Sequence, residues 1–160
     1  MTDLYKTPDS DLEVNSSNGD LRAFKRFSAW GVFFLGMITM GIYPMYWLYS
    51  RTKILNTLTD DGIAGIVVNI SLTAYVINMV TAYGPYLFPV GEWMTIVNLI
   101  ATLVLLVFML VWVFSFKSAI VQIARANGAS DFKASGVLTF FGQSIYLQYK
   151  INQYIDSKLP

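Results

Sequence analysis

Few groups in this chain of 160 residues can do acid, base, nucleophilic or metal chemistry. There is no cysteine and no histidine. That removes disulfides, thiolate metal sites, thiol nucleophiles and imidazole acid–base catalysis together. The carboxylates are scattered, and Asp60-Asp61 is the only adjacent pair. No third carboxylate lies in local reach, so the pair reads as complementing the N-terminus of a helix starting near Gly62. Its best catalytic case sets it beside Tyr49 and Arg51 as a lipid-modifying centre. Arg22, Lys25, Arg26, Arg51 and Lys53 suit anionic lipid headgroups, but orienting the chain in a membrane already accounts for them.

Uncharged polar residues offer more. Gly65, Asn69 and Thr73 recur at i, i+4 and i+8, and Thr95, Asn98 and Thr102 at i, i+3 and i+7. Such spacing draws a stripe along one helix face. In lipid, small and polar stripes let helices approach and hydrogen-bond across their interface. The sharper reading is a polar path for a small solute between the two helices, with Ser71 and Asn78 contributing. Nothing ionisable lies inside either segment, although proton-coupled or ion-coupled transport normally needs such a group. The aromatics Trp30, Tyr43, Tyr46, Trp47, Tyr49, Tyr83, Tyr86, Trp93 and Trp112 cluster near the ends and breaks of apolar runs. That is the distribution of an interfacial belt, and a lipid or aromatic ligand groove is the alternative.

The elements that position these residues follow from composition. Hydrophobic residues make up 55% of the chain and charged residues 13%, against about 25% charged in a soluble domain. Three charge-free runs, 27–50, 62–91 and 93–116, each exceed the roughly 20 apolar residues that cross a bilayer core. A net charge of +1 argues against a nucleic-acid partner, and no cofactor or metal site is expected. Residues 1–21 are polar and acidic, without the basic lead-in of a signal peptide. They are expected to be a disordered cytoplasmic tail. Residues 22–160 then form one helical membrane domain with apolar segments 27–50, 62–83, 93–116 and 134–149.

The decisive stretch is Phe27–Tyr49, broken by Gly41 and Pro44. Proline inside a helix lacks a donor and clashes with the carbonyl four residues back, here that of Met40. The stretch is either one kinked, tilted helix or two half-length helices, 27–40 and 45–56, folded back at Gly41–Pro44. Each half is about 20 Å long, the length of a re-entrant or interfacial segment. Folding back puts every Lys and Arg on one side, opposite a connection whose only charge is Glu92. The excess of basic residues on cytoplasmic flanks favours that arrangement. After the third run a short helix is expected to stop at Gly128. Residues 134–149 then read as an interfacial segment, too short and too polar at Gln143 and Gln148 for a comfortable span. Ile145-Tyr146-x-x-Tyr149 echoes Ile42-Tyr43-x-x-Tyr46.

The run Gly41, Ile42, Tyr43, Tyr46, Trp47, Leu48, Tyr49, followed by Leu55 and Asn56, resembles the signature of small bacterial membrane proteins grouped as domain of unknown function 4234. The string Tyr146–Asn152 is similar to the end of such proteins. Tyr5-x-x-Pro8-x-Ser10-x-Leu12 resembles a short N-terminal pattern of small Gram-negative inner-membrane proteins. Pro44 departs from the pattern, where a small residue is expected. The resemblance implies a bacterial cytoplasmic membrane and carries no activity.

The expected fold is therefore all-α and integral to the membrane: two full transmembrane helices, a broken N-terminal aromatic hairpin and a C-terminal interfacial amphipathic segment. Both termini are expected in the cytoplasm. The expected function is a non-enzymatic interaction or accessory protein whose partners are the lipid bilayer and a second copy or larger membrane protein. A small oligomeric channel or transporter lined by Asn69, Thr73, Asn98 and Thr102 is the alternative, and a lipid-modifying enzyme the second alternative.

Overall fold

A computed structural model describes residues 19–89 and 91–158, and every regular element among them is helical. A short 3-10 helix, Leu21–Ala23, precedes five α-helices: α1 Ala29–Ile38, α2 Ile42–Leu58, α3 Gly65–Tyr83, α4 Trp93–Ala126 and α5 Gly136–Ser157. Most of the polar tail expected over 1–21 lies outside the described residues. Its last residues, however, are docked: Gly19 N–H donates to the Leu58 carbonyl at 3.1 Å, and Leu21 is fully buried. Buried Leu21 and the hydrogen bonds of Gly19 to Leu58 and from Asn127 Nδ2 hold this end of the tail on the fold.

The aromatic stretch folds back. Ser28 caps α1 by accepting from the Gly31 N–H. The helix ends where Met40 and Gly41 turn left-handed, with φ of 50° and 90°, the second a value natural to glycine. Thr39 bridges the turn: its hydroxyl donates to the Leu35 carbonyl at 2.6 Å and accepts from the Tyr43 N–H at 2.9 Å. Because α2 starts at Ile42, Pro44 falls in a first turn whose N–H groups have no helical partner, so the anticipated clash with Met40 never arises. Gly36 lets the helices close, since a Cβ there would stand 3.0 Å from the Pro44 ring. At the open end of the hairpin, Arg51 Nη2 donates to the Lys25 carbonyl at 3.2 Å.

Helices α3 and α4 form an antiparallel pair. They measure about 28 Å and 51 Å at 1.5 Å per residue. Both are long and apolar enough to cross a membrane, and only 22% and 17% of their most apolar windows are buried inside the fold. A core helix of a soluble protein would be mostly buried. The short helix expected after the third run is instead the uninterrupted end of α4, because no residue before Asn127 breaks it. Gly128, φ 81°, ends it as expected.

The hydrophobic core gathers on the second half of α4. Trp112, Val113, Phe116, Ile120 and Ala124 pack against Trp47, Leu48 and Leu55 of α2, Leu147, Ile151 and Tyr154 of α5, and Leu21 and Phe24. Phe116 centres it, with ring centroids 6.1 Å from Phe24 and 5.8 Å from Trp47. Two hydrogen bonds tie the indoles in: Trp112 Nε1 to Thr52 Oγ1 and Trp47 Nε1 to Gln148 Oε1, both 2.8 Å.

The C-terminal segment runs on to Ser157, beyond the expected residue 149, and is itself broken at Gln143 (φ 37°, ψ −121°). Its plan follows the first hairpin. Ser135 caps it as Ser28 caps α1. Phe140-Phe141 precede the break as Phe33-Phe34 precede the first. Ile145-Tyr146 follow as Ile42-Tyr43 do. Gly142 passes close to Tyr146, whose Cβ would be 2.7 Å from an added Cβ, as Gly36 passes Pro44. The sequence echo thus corresponds to two broken helices of similar design, the second shorter.

Candidate functional site

The motif residues divide by the side of α2 they occupy. Trp47, Leu48 and Leu55 are buried and hold α2 to α4 and α5. Asn56 clamps the following loop: its Oδ1 accepts from Ile63 N–H at 2.9 Å while its Nδ2 donates to Ile63 O at 3.0 Å. Gly62 is required beneath that clamp, where a Cβ would lie 2.8 Å from Asn56 Oδ1. The loop carries Asp60 and Asp61 away from a capping position; α3 begins at Gly65 with no side-chain cap and no acid in its first turn. The clamp, set by Asn56, displaced the helix start.

The other side of α2 faces outward. Tyr43 packs on Phe27 and Tyr46, both at 6.2 Å, and Tyr49 takes the Lys53 ammonium over its ring at 4.5 Å. Ile42 and Tyr46 are exposed, as are Trp30, Phe34, Met37, Ile38 and Met40 around the turn. The turn itself lies against α3: a Cβ on Gly41 would be 3.7 Å from Tyr75 Oη. Tyr75 is the eleventh of the nineteen residues of α3, so the tip meets the end of a side chain rooted in the middle of that helix.

Between the hairpin's ends, Asn152 of α5 holds the start of the first hairpin. Its Nδ2 donates to the Phe27 carbonyl at 2.6 Å, its Oδ1 accepts from Phe27 N–H at 3.4 Å, and Gln148 Nε2 donates to the same Oδ1 at 2.8 Å. With Trp47 on Gln148, a polar chain links α2, α5 and the start of α1. Arg51 sits nearby with its Nε buried and unpartnered. Burial lowers its pKa from the ordinary guanidinium value, and the Tyr43 and Tyr46 phenols act in the other direction.

The polar residues of α3 and α4 meet on a different register from the one spacing suggested. Asn78 Nδ2 donates to Thr102 Oγ1 at 2.6 Å, and Asn98 Nδ2 to Thr81 Oγ1 at 2.8 Å and to the Asn78 carbonyl at 3.3 Å. Asn98 and Thr102 therefore join Asn78 and Thr81. A Cβ added at Gly65 would meet nothing within 4 Å, and Thr95 is exposed. Asn69 and Thr73 line a shallow apolar groove of about 520 Å³ with Ala74, Val97, Ala101 and Val104. Both Gly65-Asn69-Thr73 and Ser71-Ala74-Asn78-Thr81 are small-residue faces of α3, and the second is the one turned to α4. The denser run of small residues on that face was the available signal.

Among the described residues no group of three or more acids could hold a metal ion. The family model described as "Domain of unknown function (DUF4234)" matches residues 27–122. The chain belongs to this family. The matched region runs from the start of the first hairpin into the last turns of α4 and leaves out α5. No curated protein and no solved structure matches the chain.

Proposed function

We propose that this DUF4234 protein is a non-enzymatic membrane interaction protein of the bacterial cytoplasmic membrane, with α3 and α4 as its two spans and both described ends in the cytoplasm. The observation that carries it is the folded-back hairpin: a turn at Gly41 beside the Tyr75 side chain of α3, sheathed in exposed apolar side chains. Such a tip in water would cost roughly 25 cal/mol for each Å² of apolar surface left wet. In lipid it is solvated, and the strained turn is packed against protein. Every described Lys and Arg then flanks the same side as the core, while residues 84–92 carry only Glu92. That matches the basic bias of cytoplasmic flanks. The amides of Asn78 and Asn98 are occupied by each other's helices, which supports a packing role for them rather than a channel lining.

The test uses the absence of native cysteine. Single cysteines at Ala23, Thr59 and Glu92 are labelled in intact cells with a membrane-impermeant maleimide. Position 92 should react directly, and 23 and 59 only after permeabilisation. Opposite behaviour of 23 and 59 would show the first hairpin crossing the membrane and end this reading.

A further inference from the structure

The two broken helices have a consequence that the spans alone do not: they make the protein much wider on one side of the bilayer than on the other. The depth assigned above is the premise. Beyond the level of Gly41 and Tyr75 only the far halves of α3 and α4 remain. On the near side of that level stand the same two helices, all of α1 and the first turns of α2. The first half of α5 adds a fifth body at a shallower level, since a Cβ on Gly136 would be 3.7 Å from Phe114. A helix is about 10–12 Å across, hence about 80–110 Å² in section. Two to three additional helices therefore widen the near leaflet by roughly 200–300 Å².

That extra cross-section is dressed for acyl chains. Trp30, Met37, Ile38 and Met40 are 65–77% exposed on the first hairpin, and Val137 and Phe141 are 67% and 79% exposed on the second. Neither set belongs to the protein core, and both are apolar and exposed like the outer faces of α3 and α4. The open ends of the hairpins are polar and basic, with Lys25, Arg26 and Lys53 exposed at the first and Lys133 at the second. This arrangement stops the hairpins at headgroup level and keeps them from crossing. A body wide in one leaflet and narrow in the other fits a bilayer whose near leaflet is expanded.

We propose that the chain acts as a one-leaflet wedge, concentrating in, and stabilising, membrane that is convex on its basic side, with the acyl chains of that leaflet as the occupant of both hairpin surfaces. The purified full chain carrying Thr59→Cys is reconstituted into small sonicated and large extruded vesicles of one phosphatidylethanolamine–phosphatidylglycerol composition. Protein per unit lipid, and the fraction of position 59 open to an external impermeant maleimide, are then measured. Protein per unit lipid should rise severalfold from large to small vesicles, and the outward fraction of position 59 should rise toward one, because the outer leaflet of a small vesicle is the expanded one. The same chain with Phe34→Asp and Ile38→Asp, two exposed positions outside the core, should keep its far-UV helicity and its insertion but lose that dependence. Phe140→Asp with Phe141→Asp should weaken it less, because that hairpin is shallower.

An equal distribution of the unaltered chain across vesicle sizes overturns the wedge. An undiminished preference in both double variants overturns its assignment to the hairpins. Release of the unaltered chain by alkaline carbonate would instead sink the membrane reading beneath it, so the two failures are told apart.

Discussion

Replacing Gln148 with leucine tests the polar chain that joins the hairpins to the core. Gln148 is 0% exposed and Trp47 2%. In Gln148→Leu the Trp47 Nε1–H loses its acceptor at 2.8 Å and has no water to turn to. An unsatisfied buried donor costs about 1–3 kcal/mol, and the lost bond to Asn152 about 1 kcal/mol more. Leucine's apolar burial returns part of this, of order 1 kcal/mol. The net expectation is a loss of about 2 kcal/mol, some 30-fold in the unfolding equilibrium. Sodium dodecyl sulfate titration in mixed micelles, followed by far-UV circular dichroism, measures it. The partner variant Trp47→Phe removes the donor, so the double variant should be less unstable than the sum by about 1–2 kcal/mol. A Gln148→Leu loss below about 0.5 kcal/mol, or strict additivity in the cycle, would refute the claim that this bond is a buried, water-free link.

The α3–α4 register gives a second expectation. Asn98→Val should destabilise by about 0.5–1.5 kcal/mol in the same titration while Asn69→Val stays near neutral; the reverse order would mean α3 turns its other face to α4. Gln143 has a backbone that side-chain-bearing residues rarely adopt, so Gln143→Gly should stabilise by about 1 kcal/mol. A loss of stability there would show that the Gln143 side chain contributes more than its backbone strains. Tyr154 lies in the basic-side core, outside the spans. Its phenol is raised from 10.0 first by burial and then by Asp20, with Arg22 opposing. The folded state therefore favours the neutral phenol. Stability is intact below pH 10 and should fall as pH rises through the higher folded value. In Tyr154→Phe, which also deletes a buried hydroxyl without a partner, that alkaline decline should be largely lost. An unchanged alkaline slope would assign it to another group.

The break at Gly41 was legible because glycine and proline change local backbone rules wherever they fall. Its exact form was not. Whether Pro44 kinks one helix or opens a second depends on Thr39 bridging the turn and on Gly36 admitting the proline ring, two contacts that only the folded-back pairing brings together. The echo of Ile42-Tyr43 in Ile145-Tyr146 was likewise visible as letters. That both follow a left-handed or otherwise non-helical residue, with a close-packed glycine near each, was a tertiary fact.

The class of object was readable from residue order alone: apolar runs of spanning length, charges confined to flanks, no cysteine or histidine, and one broken aromatic segment. These are properties of composition and order along the chain, and no folding changes them. Only the tertiary structure decided which polar residues meet, that Asn56 pulls the Asp60-Asp61 loop away from a helix cap, and that α4 runs on to hold the core. Spacing along a helix marks several faces equally well; the face that is used is set by side-chain volumes on neighbouring helices. The placing of the Gly41 turn near the Tyr75 hydroxyl, thirty-four residues away in sequence, is of the same kind.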